Sequence, residues 1–206
     1  MVRVFLKIPV HRSVEALHAV ALLALQKYEL GRGVVDLDIS FLIGESLISR
    51  ARNTIAYDFL ESGADYLFML DSDIVFPANV LERLLGRRKG LVGVNYLHKT
   101  DVAIKRAGVC VADWNEFGEA VFVPTGCMLV ERGVFLRILD AGLVDFYDTS
   151  VQSGVAGFFI PYVNEDGVYL SEDWAFSERC RKAGVKGWLD NTIKLGHVGT
   201  KVYKDV

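Results

Sequence analysis

The stretch Tyr66-Leu67-Phe68-Met69-Leu70-Asp71-Ser72-Asp73-Ile74-Val75-Phe76 decides how the rest of the chain is read. Five apolar residues run together without polar alternation and then end in two carboxylates one residue apart. An unbroken apolar run of this kind suits a strand covered on both faces in the middle of a parallel sheet. Asp71 and Asp73 then stand at its carboxyl end, the edge where open α/β sheets place their ligands. Two acids this close repel each other and lose hydration. A divalent cation with hard oxygen ligands, magnesium or manganese, is the simplest compensation. The bland alternative is that Asp-x-Asp caps a helix or marks a turn, since Pro77 followed by Ala78-Asn79-Val80-Leu81 reads as a helix start.

Composition narrows the class. A chain of 206 residues, 51% hydrophobic and 24% charged, is long enough for one globular domain with a sizeable core. No stretch approaches the unbroken apolar length of a membrane span, because the most apolar helical candidate, Val14 to Leu25, is interrupted by Glu15 and His18. The amino terminus runs straight into a strand-like segment, Val2 to Ile8, without a signal-peptide pattern, so a soluble cytoplasmic protein is expected. Cys110, Cys127 and Cys180 are odd in number and widely spaced, fitting neither a disulfide framework nor a zinc site, and are expected as buried thiols. A net charge of −3 gives no global basic field for nucleic acid. Arg83, Arg87, Arg88 and Lys89 form a local basic cluster that a solvated helix end also explains.

Outward from the central strand, elements alternate. Val2 to Pro9 predicts a first strand and Val10-His11-Arg12-Ser13 its carboxyl-end loop, which brings His11 to the same rim as Asp71. Ser13 is the expected cap of a helix through Lys27, closed by Gly31-Arg32-Gly33. Val34 to Ile43 is a second strand. Ser46 opens a helix with Leu47, Ile48, Ala51, Ile55 and Phe59 as its apolar stripe, stopped by Gly63. Arg50 or Asn53 in its first turns can reach a nucleotide, whereas Arg52 reads as part of a solvated face. A helix from Pro77 to about Leu85 and a strand from Gly90 to Leu97 complete a right-handed half-sheet of nucleotide-binding type.

The grammar then changes. Short strands are expected at Ala103 to Ala112 and Ala120 to Val130, joined by a turn at Trp114 to Gly118. The second contains Pro124-Thr125-Gly126; the proline argues for an edge or bulge and Gly126 for a close backbone approach to a ligand. Gly133 to Ala141 reads as a short helix, and Asp145 to Tyr169 as a long, functional connection. Ser171 caps a helix that opens with Glu172 and Asp173 and ends at Gly184; Trp188 to Asp190 is a short strand, and His197 follows in a glycine-flanked loop.

Taken together, Asp71-Ser72-Asp73, Thr125-Gly126-Cys127-Met128-Leu129-Val130, Glu172-Asp173-Trp174-Ala175-Phe176 with Arg179 and Gly184, and the late His197 resemble the ordered landmarks of a GT-A glycosyltransferase, of the family 2 type and of small soluble bacterial and bacteriophage enzymes. The resemblance implies an α/β fold with a Rossmann-like, mostly parallel central sheet flanked by helices and a smaller mixed acceptor-side sheet. It implies one domain over 1–206, with a nucleotide-sugar-binding half (1–99) and an acceptor and catalytic half (100–206). Asp71 and Asp73 match the DxD motif that binds a metal, Mn2+ or Mg2+, bridging to a donor diphosphate, and His197 matches a third metal ligand. Asp173, and second Glu172, match the catalytic base. His11, Asn53 and Gly126 join Asp71 and Asp73 as expected donor contacts. The activity implied is a hexosyltransferase taking a nucleotide sugar, a UDP-sugar first, to an acceptor hydroxyl on a saccharide, small molecule, protein or modified DNA base.

Chemistry agrees with these residue types: a metal neutralises the leaving diphosphate, and a carboxylate takes the proton of the attacking hydroxyl. Helix-dipole pairing alone is the competing account of the Glu172-Asp173 pair, and a core-facing indole that of Trp174, which could otherwise stack on an acceptor ring. Members of the family often carry an additional acid on or after the second strand, and here Asp36 and Asp38 lie inside that strand rather than clearly beyond it. The sequence also lacks the arginine-rich carboxyl-terminal motif of processive synthases; Lys201 or Lys204 of the tail could assist at the diphosphate. Rival readings are a nucleotidyltransferase, which would want a glycine-rich first loop where this chain has Pro9-Val10-His11-Arg12, and an inert nucleotide-binding module. An aspartate phosphatase would carry Asp-x-Asp on its first strand.

Overall fold

A computed structural model describes residues 1–97, 99, 109–110, 116–199 and 202–204. The strand expected over Ala103 to Ala112, the turn at Trp114 to Gly118 and the Lys201 tail fall wholly or partly outside these residues. The first half consists of β1 (Val2–Val10), α1 (Ala16–Arg32), β2 (Val35–Ile43), α2 (Ile48–Ser62), β3 (Tyr66–Leu70), β4 (Ile74–Val75), α3 (Val80–Gly86) and β5 (Leu91–Gly93). The second consists of β6 (Val109–Cys110), β7 (Phe117–Phe122), β8 (Cys127–Glu131), α4 (Arg132–Asp140), β9 (Phe146–Tyr147), β10 (Val155–Ala156), β11 (Tyr162–Val163), β12 (Tyr169–Leu170), α5 (Glu172–Lys182), β13 (Gly187–Asp190), β14 (Gly196–Val198) and β15 (Val202–Lys204).

Among the described residues the main sheet has eight strands in the order β2-β1-β3-β8-β5-β13-β7-β6. β1 runs parallel to β2 and β3, and β13 parallel to β5, while β8 and β7 run against their neighbours. The central strand therefore has a parallel neighbour on one side and an antiparallel one on the other. That departs from the expected all-parallel setting. Burial, which dictates the apolar run, is indifferent to the direction of the neighbour.

The unbroken run is explained by two cores. Phe68 and Leu70 pack with Leu22 and Leu25 of α1 and with Leu81 and Leu84 of α3. Leu67 and Met69, pointing the other way, pack with Ile55 and Phe59 of α2, Phe135 and Ile138 of α4, and Phe176 of α5. Strand alternation thus feeds both layers and leaves no position for a polar residue. Gly33 (φ 65°) and Gly63 (φ 69°) close α1 and α2 in the left-handed region, as their positions after an apolar stripe predict.

Several boundaries differ from expectation. α1 starts after Glu15 rather than Ser13, α2 after Leu47 rather than Ser46, and α3 at Val80, because Pro77 to Asn79 form the turn before it. The expected strand from Ala120 to Val130 is two strands, β7 and β8, separated by the Val123-Pro124-Thr125-Gly126 crossing. Proline has no N–H for a ladder, and the break falls there. The Asp145 to Tyr169 stretch holds two minimal hairpins, β9 with β10 and β11 with β12. Cys127 and Cys180 are buried free thiols.

One buried charge pair ties the far end of the sheet. Asp190 of β13 is fully buried and accepts a 2.8 Å bond from Arg87 Nε and a 3.1 Å bond from the Thr192 backbone N–H. Burial alone would raise its pKa, but the bonds from Arg87 and Thr192 outweigh it and hold the carboxyl below its usual range. Asp190→Ala should cost about 2–3 kcal/mol in urea unfolding, near the low end for a split buried pair because Arg87 is partly hydrated. A carboxyl with a lowered folded pKa contributes its stability above the free value of 3.8 and loses it as pH falls below that value. The deficit of the variant should therefore be full at pH 7 and shrink at acid pH.

Candidate functional site

The carboxyl ends of β1 and β3 open onto a cavity of about 270 Å³ whose lining includes His11, Glu45, Ser46, Asp71 and Asp73. The two acids and the first-loop histidine, far apart in sequence, share this cleft. Asp71 leaves β3 with its N–H donated to the Gly126 carbonyl at 3.1 Å, and its Oδ1 accepts from Arg52 Nη2 at 2.9 Å. Asp73 sits one turn on, where its own carbonyl accepts the Val198 N–H at 2.8 Å.

His197 reaches Asp73 through strand pairing. β14 runs antiparallel to β4, with His197 opposite Ile74, and β15 continues the small sheet. The buried ring of His18 donates from Nδ1 to the Ile74 carbonyl at 2.7 Å, so α1 holds the short strand that follows the acids. His197 donates Nδ1–H to the Leu97 carbonyl at 2.8 Å, which leaves Nε2 facing Asp73 Oδ2 at 3.5 Å. Lys99 also bonds Asp73 Oδ2. Burial would raise the Asp73 carboxyl, but His197 and Lys99 outweigh it and lower it to about 2.

The second pair of acids opens α5. Asp173 Oδ1 accepts from the Ser171 hydroxyl and from the Trp174 N–H at 2.9 Å, and Oδ2 has no hydrogen-bond partner among the described residues. Ser171 is thus at the expected cap position, but its hydroxyl donates to Asp173 instead of accepting a backbone N–H. Glu172 Oε1 lies 3.6 Å from Arg52 Nε. Burial pushes the Glu172 carboxyl up against the pull of Arg52. Trp174 is half-buried and stacks flat on Phe122, with centroids 4.1 Å apart.

Arg52 joins the two ends of the site. Its side chain is 3% exposed and stands between Asp71 and Glu172. The expectation of a solvated Arg52 is therefore corrected. The signal was in the spacing, since residue 52 is four after Ile48 and three before Ile55 and so lies inside the apolar stripe. Arg50, by contrast, is exposed and paired with Glu45.

Two expected donor contacts face inward. Asn53 is 1% exposed, its amide donating to the Tyr147 hydroxyl at 3.1 Å and accepting from the Phe159 N–H at 2.8 Å, so it pins the long connection to α2. At Gly126 the close approach is to the protein itself, because a Cβ there would lie 2.5 Å from the Tyr96 hydroxyl and 2.7 Å from its ring. Tyr96 in turn meets the His197 ring edge-on at 5.2 Å. Gly126→Ala should displace this buried ring at a cost of about 2 kcal/mol, lowering the melting temperature by roughly 4–8 °C. An unchanged melting curve would mean that the Tyr96 pocket is soft.

Among the described residues no group of three His, Cys, Asp or Glu is already gathered as a metal cage. Asp73 and His197 nevertheless face each other, the histidine is oriented from behind by a carbonyl as metal-bound histidines are, and the Lys99 ammonium sits on the same Asp73 oxygen. Oxygen and imidazole donors of this kind suit magnesium or manganese.

This strand order, with its nucleotide-type half-sheet and acids at the strand ends, is the α/β fold of the GT-A glycosyltransferases. The chain is similar to A197 from STIV, with a TM-score of 0.58 at 17% identity over 99% of this chain and 94% of that one. It is also similar to GalNAc-T7 with UDP, GalNAc and Mn2+, with a TM-score of 0.51 at 12% identity over 96% of this chain but only 44% of that one. At such identities the likeness establishes the fold. No protein-family model and no curated protein matches the sequence. No helix among the described residues is long and apolar enough to cross a membrane.

Proposed function

We propose that the protein is a metal-dependent glycosyltransferase that moves a sugar from a nucleotide-sugar donor, a UDP-sugar first, to an acceptor hydroxyl. The observation that carries the reading is the shared guanidinium of Arg52, 2.9 Å from the acid at the donor cleft and 3.6 Å from the acid pair on α5. This shared contact supports reading the two carboxylate sets as the two halves of one site. The bound complex of the similar GalNAc-T7 fold, with UDP and Mn2+, supports the choice of donor and metal.

In this reading Asp71, Asp73 and His197 hold the cation, with Asp73 as its main carboxylate, and His11 lies along the nucleotide side of the cleft. A cation held there offsets charge on the departing diphosphate, an effect worth several kcal/mol. Lys99, which holds Asp73 Oδ2 here, would be free to face the diphosphate if a cation took that oxygen. Asp173 takes the acceptor proton on its unpartnered oxygen, while Ser171 and the Trp174 N–H hold the other oxygen still. Glu172, occupied with Arg52, positions the pair and is second choice as base.

Hydrolysis of a panel of nucleotide sugars with and without EDTA, together with calorimetry using manganese and UDP, tests the reading. We expect hydrolysis of at least one UDP-sugar that EDTA removes, and UDP binding that requires manganese. Turnover unaffected by EDTA would take the cation out of the mechanism, UDP binding with no donor hydrolysed would favour an inert nucleotide-binding module, and absence of any UDP binding would overturn the choice of donor.

A further inference from the structure

A second cavity, about 420 Å³, lies beside the C-terminal half of α5 and is lined in part by Asp145, Gly157, Ile160, Tyr162, Arg179 and Lys182. Arg179 is only 9% exposed, yet no carboxylate lies within ion-pair distance of it among the described residues. Its Nε donates to the Leu143 carbonyl at 3.3 Å and its Nη1 to the Phe158 carbonyl at 2.9 Å, and the guanidinium sits 4.9 Å from the centroid of the Tyr162 ring. The fork is thereby fixed, and Nη2 has no partner among the described residues. Lys182, three residues further along the helix, has only a 3.9 Å contact to Glu165, which is 95% exposed.

A nearly buried cation held by neutral carbonyls is costly without a counter-charge. Burial indeed pushes the Arg179 pKa down, and Asp145, the one acid lining the cavity, offsets this only in part. Glu165 stands off in solvent at 3.9 Å from Lys182, so within the cavity lining two cations face the single carboxylate of Asp145, which leaves room for an anion. A rigid guanidinium edge with a flexible ammonium beside it is the donor set that planar or tetrahedral oxyanions take.

We propose that this cavity binds an oxyanion, the phosphate or sugar carboxylate of a ligand, through Arg179 Nη2 and Lys182 Nζ. At 1.5 Å rise per residue it lies roughly 9 to 14 Å along α5 from Asp173. It is therefore a site separate from the donor cleft, joined to it by one helix.

Calorimetry on the full chain in EDTA, with inorganic phosphate, glucuronate and glucose as probes, tests this. Arg179→Ala would also free the Leu143 and Phe158 carbonyls and could unfold the connection, so the deciding variant is Lys182→Glu on the surface. The expected result is saturable binding of phosphate, glucuronate or both, weakened at least tenfold in Lys182→Glu, with glucose giving no saturable heat. Phosphate without glucuronate marks a phosphate-bearing ligand, and glucuronate without phosphate a uronate-bearing one. No saturable anion binding, binding untouched by Lys182→Glu, or glucose bound as well as glucuronate would each overturn the assignment. Because no nucleotide or divalent metal enters the measurement, the outcome is independent of the glycosyltransferase reading.

Discussion

Asp73→Ala is expected to abolish sugar transfer and, with it, the manganese-dependent part of donor binding. The carboxylate is the meeting point of Lys99 and His197, and it stays ionised because together they outweigh its burial. Its place in the fold is set by the backbone, through the Val198 N–H on its carbonyl, so the truncated side chain should leave the chain folded. Calorimetry should show UDP affinity that no longer responds to manganese, and the transfer assay should read background. If the variant kept both manganese-dependent binding and activity, the site would have to be elsewhere. An unchanged melting curve in the variant would separate loss of chemistry from loss of structure.

Asp173→Asn should lower turnover a hundredfold or more while leaving donor affinity unchanged, on the order expected for removing a general base. The amide preserves the oxygen that accepts from Ser171 and Trp174, so the helix end keeps its geometry. The other oxygen becomes an NH2 group that cannot take a proton. Single-turnover rates at saturating donor and acceptor would isolate the step. A rate within a few-fold of wild type would pass the role to Glu172, where Glu172→Gln becomes the next substitution.

Much of this site was legible in the sequence because its signals are local. The run Tyr66 to Leu70 reads as a two-sided strand, and the acids that end it are placed by that fact alone. Glu172 and Asp173 are at a helix start because the capping pattern says so. His197 beside Asp73 came from resemblance and is realised by a strand pair that no local pattern announces, β14 against β4. The direction of β8 was not legible, since an apolar run carries no arrow. Nor was the split at Val123 to Gly126, where a crossing at the rim overrides the propensity of the residues around it. Arg52 was misread because charge was given more weight than spacing. Rim placement suggests Asn53 as a donor contact and the glycine suggests a close approach at 126, but the partners that meet them are Tyr147 with Phe159, and Tyr96, from distant parts of the chain.

The buried guanidinium of residue 52 makes its two flanking carboxylates competitors for one positive charge. Were a dication to draw Asp71 toward the cleft, its hold on that charge would weaken and the guanidinium would lean on Glu172. On the proposed reading, occupancy of the cleft would in this way be felt at the first turn of α5, as a redistribution of attraction across a few ångströms. On that same reading, this coupling would report an occupied donor cleft to the acid pair before an acceptor is engaged.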